Sequence, residues 1–167
     1  LDIAPETPII AMVTRMTDQK GFNLVQQAIE EIVNMGAAFV LLGTGEEGYE
    51  QFMRQAEYAH RGRIVAYIGY DAKLANLIYG GADFYLMPSL FEPCGLSQMI
   101  AMRYGAVPIV RAIGGLKDTV SHFDGEHGTG FLFYDYTVDG MLGAIYEALQ
   151  VYQDKAAMET VIHNAMN

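Results

Sequence analysis

Six short apolar runs, separated by helical patterns and turning repeatedly through glycine, restrict what this chain can fold into. The runs are Ile9 to Val13, Ala38 to Leu42, Ile64 to Ile68, Ala82 to Met87, Ala106 to Val110 and Phe131 to Phe133. Each has the length of one strand and, apart from Asp83 in the fourth, is continuously apolar rather than alternating, as expected for strands covered on both faces. Between them, Phe22, Leu24, Val25, Ala28, Ile29 and Ile32 recur at helical spacing, and Tyr49, Phe52, Met53, Ala56 and Ala59 can line one face of a second helix. Asp71 is a natural N-cap for a third, through Leu74, Leu77 and Ile78, while Asp139 to Tyr152 and Lys155 to Ala165 also read as helical. Strands alternating with helices predict an α/β fold: a doubly wound, Rossmann-like parallel sheet. Pro108 inside the fifth run predicts an edge strand or an irregular start there. At 167 residues the chain fits a single domain, residues 1–167.

The stretch from Met87 to Gln98 carries the strongest chemical signal. It leaves a strand, holds Pro88 and Pro93 in an irregular loop, and enters a helix expected to begin near Gly95. Free N–H groups of Gly95, Leu96 and Ser97 would then point out of the carboxyl end of the sheet, beside the Ser97 hydroxyl and the Glu92 carboxylate. That is an anion site next to an acid. An alternative stays open at this point: Glu92 can simply favour the positive end of a helix, with Gly95 a permissive cap residue.

The turn after the first strand places Arg15 and Lys20 just ahead of the first helix, where both can face the same edge of the sheet. Arg suits a bidentate phosphate contact and Lys a compact mobile charge, although solvated surface cations are the ordinary fate of both. Tyr70, after the third strand, can stack on a planar ligand or merely cover the core. Gly43-Thr44-Gly45 lacks a full dinucleotide fingerprint and reads as a structural turn, while at Ile113-Gly114-Gly115-Leu116 glycine backbone can approach a ligand closely or simply form a tight turn. His60, His122 and His127 show no metal-ligand spacing and are not expected to be catalytic.

A formal charge of −10 and the lack of any basic run argue against a nucleic-acid partner, and no apolar stretch is long enough to span a bilayer. One cysteine, Cys94, allows no internal disulfide and fits a reducing, cytoplasmic setting. Because it begins at Leu1 rather than Met, the chain reads as a piece of something longer.

With these residues laid out, the sequence resembles the carboxyl-terminal nucleotide-sugar domain of bacterial glycogen synthases and plant starch synthases, retaining glycosyltransferases of the two-domain GT-B class. The specific parts are Phe91-Glu92-Pro93-Cys94-Gly95-Leu96-Ser97-Gln98, Gly114-Gly115-Leu116-Lys117-Asp118-Thr119-Val120, and Arg15 with Lys20-Gly21. The resemblance implies the carboxyl-terminal half of a GT-B fold, acting in an ADP-glucose:α-1,4-glucan glucosyltransferase. In that setting Arg15 and Lys20 bind the donor diphosphate and stabilise the departing nucleotide, Glu92 is the essential acid near the donor glucose, and Tyr70 stacks on the adenine. Amides around Cys94 and Gly95 would meet sugar hydroxyls, and Leu96 and Ser97 the distal phosphate. The partners implied are ADP-glucose or a related nucleotide sugar and, through a missing domain, an α-1,4-glucan; no metal or cofactor is expected. The location implied is cytoplasmic, or plastid for a plant protein.

The sequence departs from the family pattern in three places. Many related GT-B enzymes carry a second Glu eight residues after the first, where this chain has Ile100, which favours the glycogen synthase branch. Ile113 stands where Thr usually precedes the Gly-Gly-Leu turn. The amino-terminal acceptor domain and a Trp-bearing final helix are absent, so the fragment alone is expected to be inactive. Three alternatives are a non-catalytic nucleotide-binding module, another retaining GT-B domain, and a dinucleotide-dependent oxidoreductase domain, the last weakened by the missing fingerprint.

Overall fold

The computed structural model describes residues 1–92 and 95–167. Its elements alternate along the chain: β1 (Ile9–Val13), α1 (Phe22–Asn34), β2 (Ala38–Gly43), α2 (Glu47–Ala59), β3 (Ile64–Ile68), α3 (Ala72–Gly81), β4 (Phe84–Met87), α4 (Ser97–Arg103), β5 (Val107–Arg111), α5 (Gly114–Thr119), β6 (Phe131–Phe133), α6 (Val138–Gln153) and α7 (Lys155–Met166). The six strands form one sheet in the order β3-β2-β1-β4-β5-β6, every pair parallel. The chain therefore runs outward from β1 to β3, returns to the middle, and runs outward again from β4 to β6. The doubly wound arrangement expected from the apolar runs is present.

Side chains alternate across the sheet and split the core in two. Ile10, Met12, Phe39, Leu41, Phe84, Leu86 and Ile109 pack with buried residues of α1, α2, α6 and α7. Ala11, Leu42, Tyr85, Met87 and Val110 pack with Ala75, Ile78 and Tyr79 of α3, Ala101 of α4 and Leu116 of α5. Asp71 caps α3, its Oδ1 accepting from the Leu74 N–H at 3.0 Å, and Gly36 follows α1 at φ 101°, the left-handed conformation that ends many helices.

Three local readings are corrected. Pro108 lies in an interior strand, not an edge. The Val107 N–H bonds the Asp83 carbonyl on the β4 side, so Pro108 turns its nitrogen toward β6, whose ladder begins only at the pair Ile109 and Phe131. No ladder bond is lost. Residues 114–119 form the short helix α5 rather than a bare turn, and α4 begins at Ser97, two residues beyond Gly95, which instead holds φ 64°.

Between β1 and β4, where the winding reverses, the sheet is thin. β1 pairs with β2 over five residues but with β4 over only two, Ile10 with Phe84 and Ala11 with Tyr85. Beyond that point the Tyr85 hydroxyl takes the place of backbone: it donates to the Val13 carbonyl at 2.8 Å and lies 3.3 Å from the Val13 N–H. Burial pushes this phenol's pKa far up, so its proton stays in place to donate.

Candidate functional site

A sheet with this winding opens a crevice at the carboxyl ends of the two strands flanking the reversal. The loop after β1 carries Arg15 and Lys20, and the loop after β4 carries Glu92. Seventy-two residues apart in sequence, Lys20 and Glu92 meet here, with Lys20 Nζ 2.8 Å from Glu92 Oε2. Glu92 is only 6% exposed, and a carboxylate so buried requires a partner. The Ser89 hydroxyl, itself buried, donates to the same oxygen at 3.2 Å.

Backbone contacts hold the two loops together. The Leu90 N–H donates to the Gln19 carbonyl at 2.9 Å. Gly21, which caps α1 at φ 79°, lies so close to the second loop that a Cβ there would sit 1.9 Å from the Pro88 carbonyl oxygen. On the far side, a Cβ on Gly114 (φ 53°) would sit 2.2 Å from the Glu92 carbonyl oxygen, and the Gly115 N–H reaches that oxygen at 3.4 Å. The glycines of the Gly-Gly-Leu turn, where the sequence allows close approach to a ligand, closely approach the backbone of Glu92 in the structure. Gly43 and Gly45 are structural as read, since Cβ atoms there would collide with the carbonyls of Thr14 and Met16.

The remaining candidates lie along the same edge. Arg15 is exposed on the β1–α1 loop, next to Met16, which bridges to Gly45. Gly95 is buried, Leu96 is exposed, and Ser97 opens α4 half-buried. Tyr70 follows β3, the edge strand two places from β1, and is 81% exposed. The expectation at Cys94 lies outside the described residues. The structure brings Lys20 and Glu92 into direct contact and leaves Arg15 and Tyr70 open along the rim.

His60 sits with its Nε2 2.9 Å from Glu30 Oε2 on α1. His122 bonds Glu147 through Nε2 at 2.8 Å, and its Nδ1 accepts from the Leu132 N–H at 3.0 Å. His122 thus ties α6 to β6. A cavity of about 580 Å³ involving Asp2, Arg54, Tyr58 and Arg61 opens at the amino end of β3, away from the crevice. Sequence reasoning missed Ser89 and Tyr85, whose roles come from partners distant in the chain.

A crevice at the strand reversal, a cation bonded to a buried acid, and glycines that let three loops touch are the parts of a site for an anionic ligand. The family model described as glycosyl transferases group 1 matches residues 1–164. The chain belongs to this family. Among relatives of this group 1 chain, a glycogen synthase of Fusobacterium nucleatum is 46% identical over 99% of this chain, and one of Alkaliphilus metalliredigens is 47% identical over the whole of this chain. The chain spans only 36% of the length of each. The catalytic domain of starch synthase IV from Arabidopsis thaliana, solved bound to ADP and acarbose, superposes with a TM-score of 0.90 at 32% identity, over 98% of this chain and 35% of that one. The group 1 chain thus has the Rossmann-like parallel sheet of GT-B glycosyltransferases. Among its described residues no helix is long and apolar enough to cross a membrane.

Proposed function

We propose that residues 1–167 form the donor domain of an ADP-glucose:α-1,4-glucan glucosyltransferase of the glycogen synthase type, with the glucan acceptor held by another part of the full-length protein and the enzyme located in the cytoplasm, or in the plastid for a plant protein. The observation that carries this reading is the Lys20–Glu92 contact at the strand reversal of a group 1 chain so similar to glycogen synthases.

In this reading Arg15 and Lys20 take the donor diphosphate. Negative charge grows on that group as the sugar departs, and preplaced cations lower the energy of that state without reorganisation. Lys20 exchanges the Glu92 oxygen for a phosphate oxygen, which leaves the carboxylate facing the sugar as positive character develops there. Leu96 and Ser97 offer backbone N–H groups to the distal phosphate, Gly95 and Cys94 meet sugar hydroxyls, and Tyr70 stacks on the adenine. A base on Tyr70 would lie about 10 Å from the β1 loop, two strand spacings across the sheet.

Calorimetric titration with ADP, UDP, ADP-glucose and NAD tests the reading. Saturable binding of ADP and ADP-glucose by the chain, with glucose transfer to glycogen only by the full-length protein, is expected. No saturation by millimolar ADP on folded protein would count against it, and selective NAD binding would replace it with the oxidoreductase alternative.

A further inference from the structure

The loops bearing Lys20 and Glu92 are joined a second time by two side chains from later in the sequence. Arg111, the last residue of β5, directs its NH1 to the Ser89 carbonyl at 3.2 Å and the Leu90 carbonyl at 3.1 Å. Its guanidinium carbon lies 5.3 Å from the centre of the Tyr136 ring, within cation–π range. The Tyr136 hydroxyl faces Asn23 Oδ1 at 2.6 Å and the Asp18 carbonyl at 3.1 Å. A continuous path therefore runs from the loop of Glu92, through Arg111 and Tyr136, to the loop of Lys20 and the first turn of α1.

Ser89 converts this path into control of the site. Its carbonyl accepts from Arg111 while its hydroxyl donates to Glu92 Oε2. At the other end, Asp18 lies two residues before Lys20, and its carbonyl also accepts from the Gly21 N–H at 3.0 Å. The forked, planar guanidinium can reach two carbonyls from one nitrogen while stacking on an aromatic ring. A lysine ammonium in its place keeps the charge but lacks the planar fork.

We infer that Arg111 and Tyr136 are positioning residues that set the Lys20–Glu92 geometry for group transfer. Neither side chain bonds Lys20 or Glu92 among the described residues, so both act through the Ser89 carbonyl and the Asp18 segment. The kinetic consequence rests on the proposed donor-site reading; the geometric one does not.

The test uses the full-length protein with Arg111→Met, Arg111→Lys and Tyr136→Phe, the last keeping the ring over the guanidinium while removing the hydroxyl. Three quantities are compared with the parent: kcat and KM for glucose transfer, the Kd for ADP, and the rate at which acetic anhydride labels Lys20, followed by mass spectrometry. Arg111→Met is expected to lower kcat roughly 10- to 100-fold, the scale for a displacement near 1 Å, while the Kd for ADP changes by less than about threefold. Lys20 labelling rises several-fold as its partner drifts. Tyr136→Phe shows the same pattern more weakly, and Arg111→Lys recovers part of kcat. If Arg111→Met does not fold, Arg111→Lys and Tyr136→Phe decide the matter alone. Parent-like kcat and parent-like Lys20 labelling in the folded variants would overturn the inference, as would an equal rise in labelling at a distant lysine such as Lys155. A parent that neither binds ADP nor transfers glucose overturns the proposed function instead, while Lys20 labelling still reports on the geometry.

Discussion

Lys20 and Glu92 pair at the carboxyl edge of the sheet, Nζ to Oε2 at 2.8 Å, with the carboxylate side chain 8% exposed and the ammonium side chain 29% exposed. The group proposed to receive a diphosphate is therefore already bonded to the group proposed to face the sugar. Ligand binding must exchange one anion for another on Lys20.

This exchange separates the roles of the pair. Glu92→Gln keeps the shape and releases Lys20, so the Kd for ADP should be no weaker than in the parent. Transfer by the full-length protein should fall by at least about 100-fold in kcat, because the missing charge acts on the reacting state. Melting should change little, within about 1 kcal/mol, since the released ammonium can be hydrated. Calorimetry, melting and glucose transfer on one preparation would check all three, and transfer at the parent rate would make Glu92 a purely structural loop residue.

Gly21 should be among the least replaceable positions. Alanine there incurs about 1–2 kcal/mol from its left-handed backbone and forces the Pro88 carbonyl away from a Cβ that would otherwise sit 1.9 Å from it. Gly36 has a similar positive φ but open space around it, so Gly36→Ala should show the backbone cost alone. Urea unfolding of the two variants should place Gly21→Ala well below Gly36→Ala. Equal losses would mean that the two loops are not in contact.

Tyr70 lies at the other extreme. Exposed on the edge, it contributes little to the core, and Tyr70→Ala should change stability by no more than about 0.5 kcal/mol. If it stacks on the base, the same variant should weaken ADP by about 1–3 kcal/mol. Lys20→Ala should weaken ADP and UDP alike. An unchanged Kd for ADP in Tyr70→Ala returns the ring to a surface role.

Asp83, just before β4, makes stability depend on pH. Burial raises its carboxyl pKa more than the Ile9 N–H, donating to Oδ2 at 2.8 Å, lowers it. A raised folded-state pKa means a contribution fully present below the unfolded value near 3.9 and lost as pH rises through the folded value. Asp83→Asn keeps an acceptor for Ile9 and carries no charge. Its stability relative to the parent should therefore increase as the pH rises from about 4 toward neutrality. Parallel urea-stability curves for the two proteins over that interval would rule this out.

Local patterns were enough to determine much of this protein. Continuous apolar runs mark strands buried on both faces, period 3.6 marks the helices between them, and the Asp71 cap is a property of one turn. These signals need only neighbours in the chain, so they are legible without a fold. The motif residues also stood out, Glu92 among prolines and glycine, and Arg15 and Lys20 among only ten cations. Strand order was a tertiary decision: placing β4 beside β1 brings two loops 72 residues apart into hydrogen-bond range. That packing makes Gly21 and Gly114 obligatory, turns Tyr85 into a substitute for missing ladder bonds, and lets Pro108 sit in an interior strand. None of these has a local signature, because each depends on which atoms of a distant segment arrive within about 3 Å.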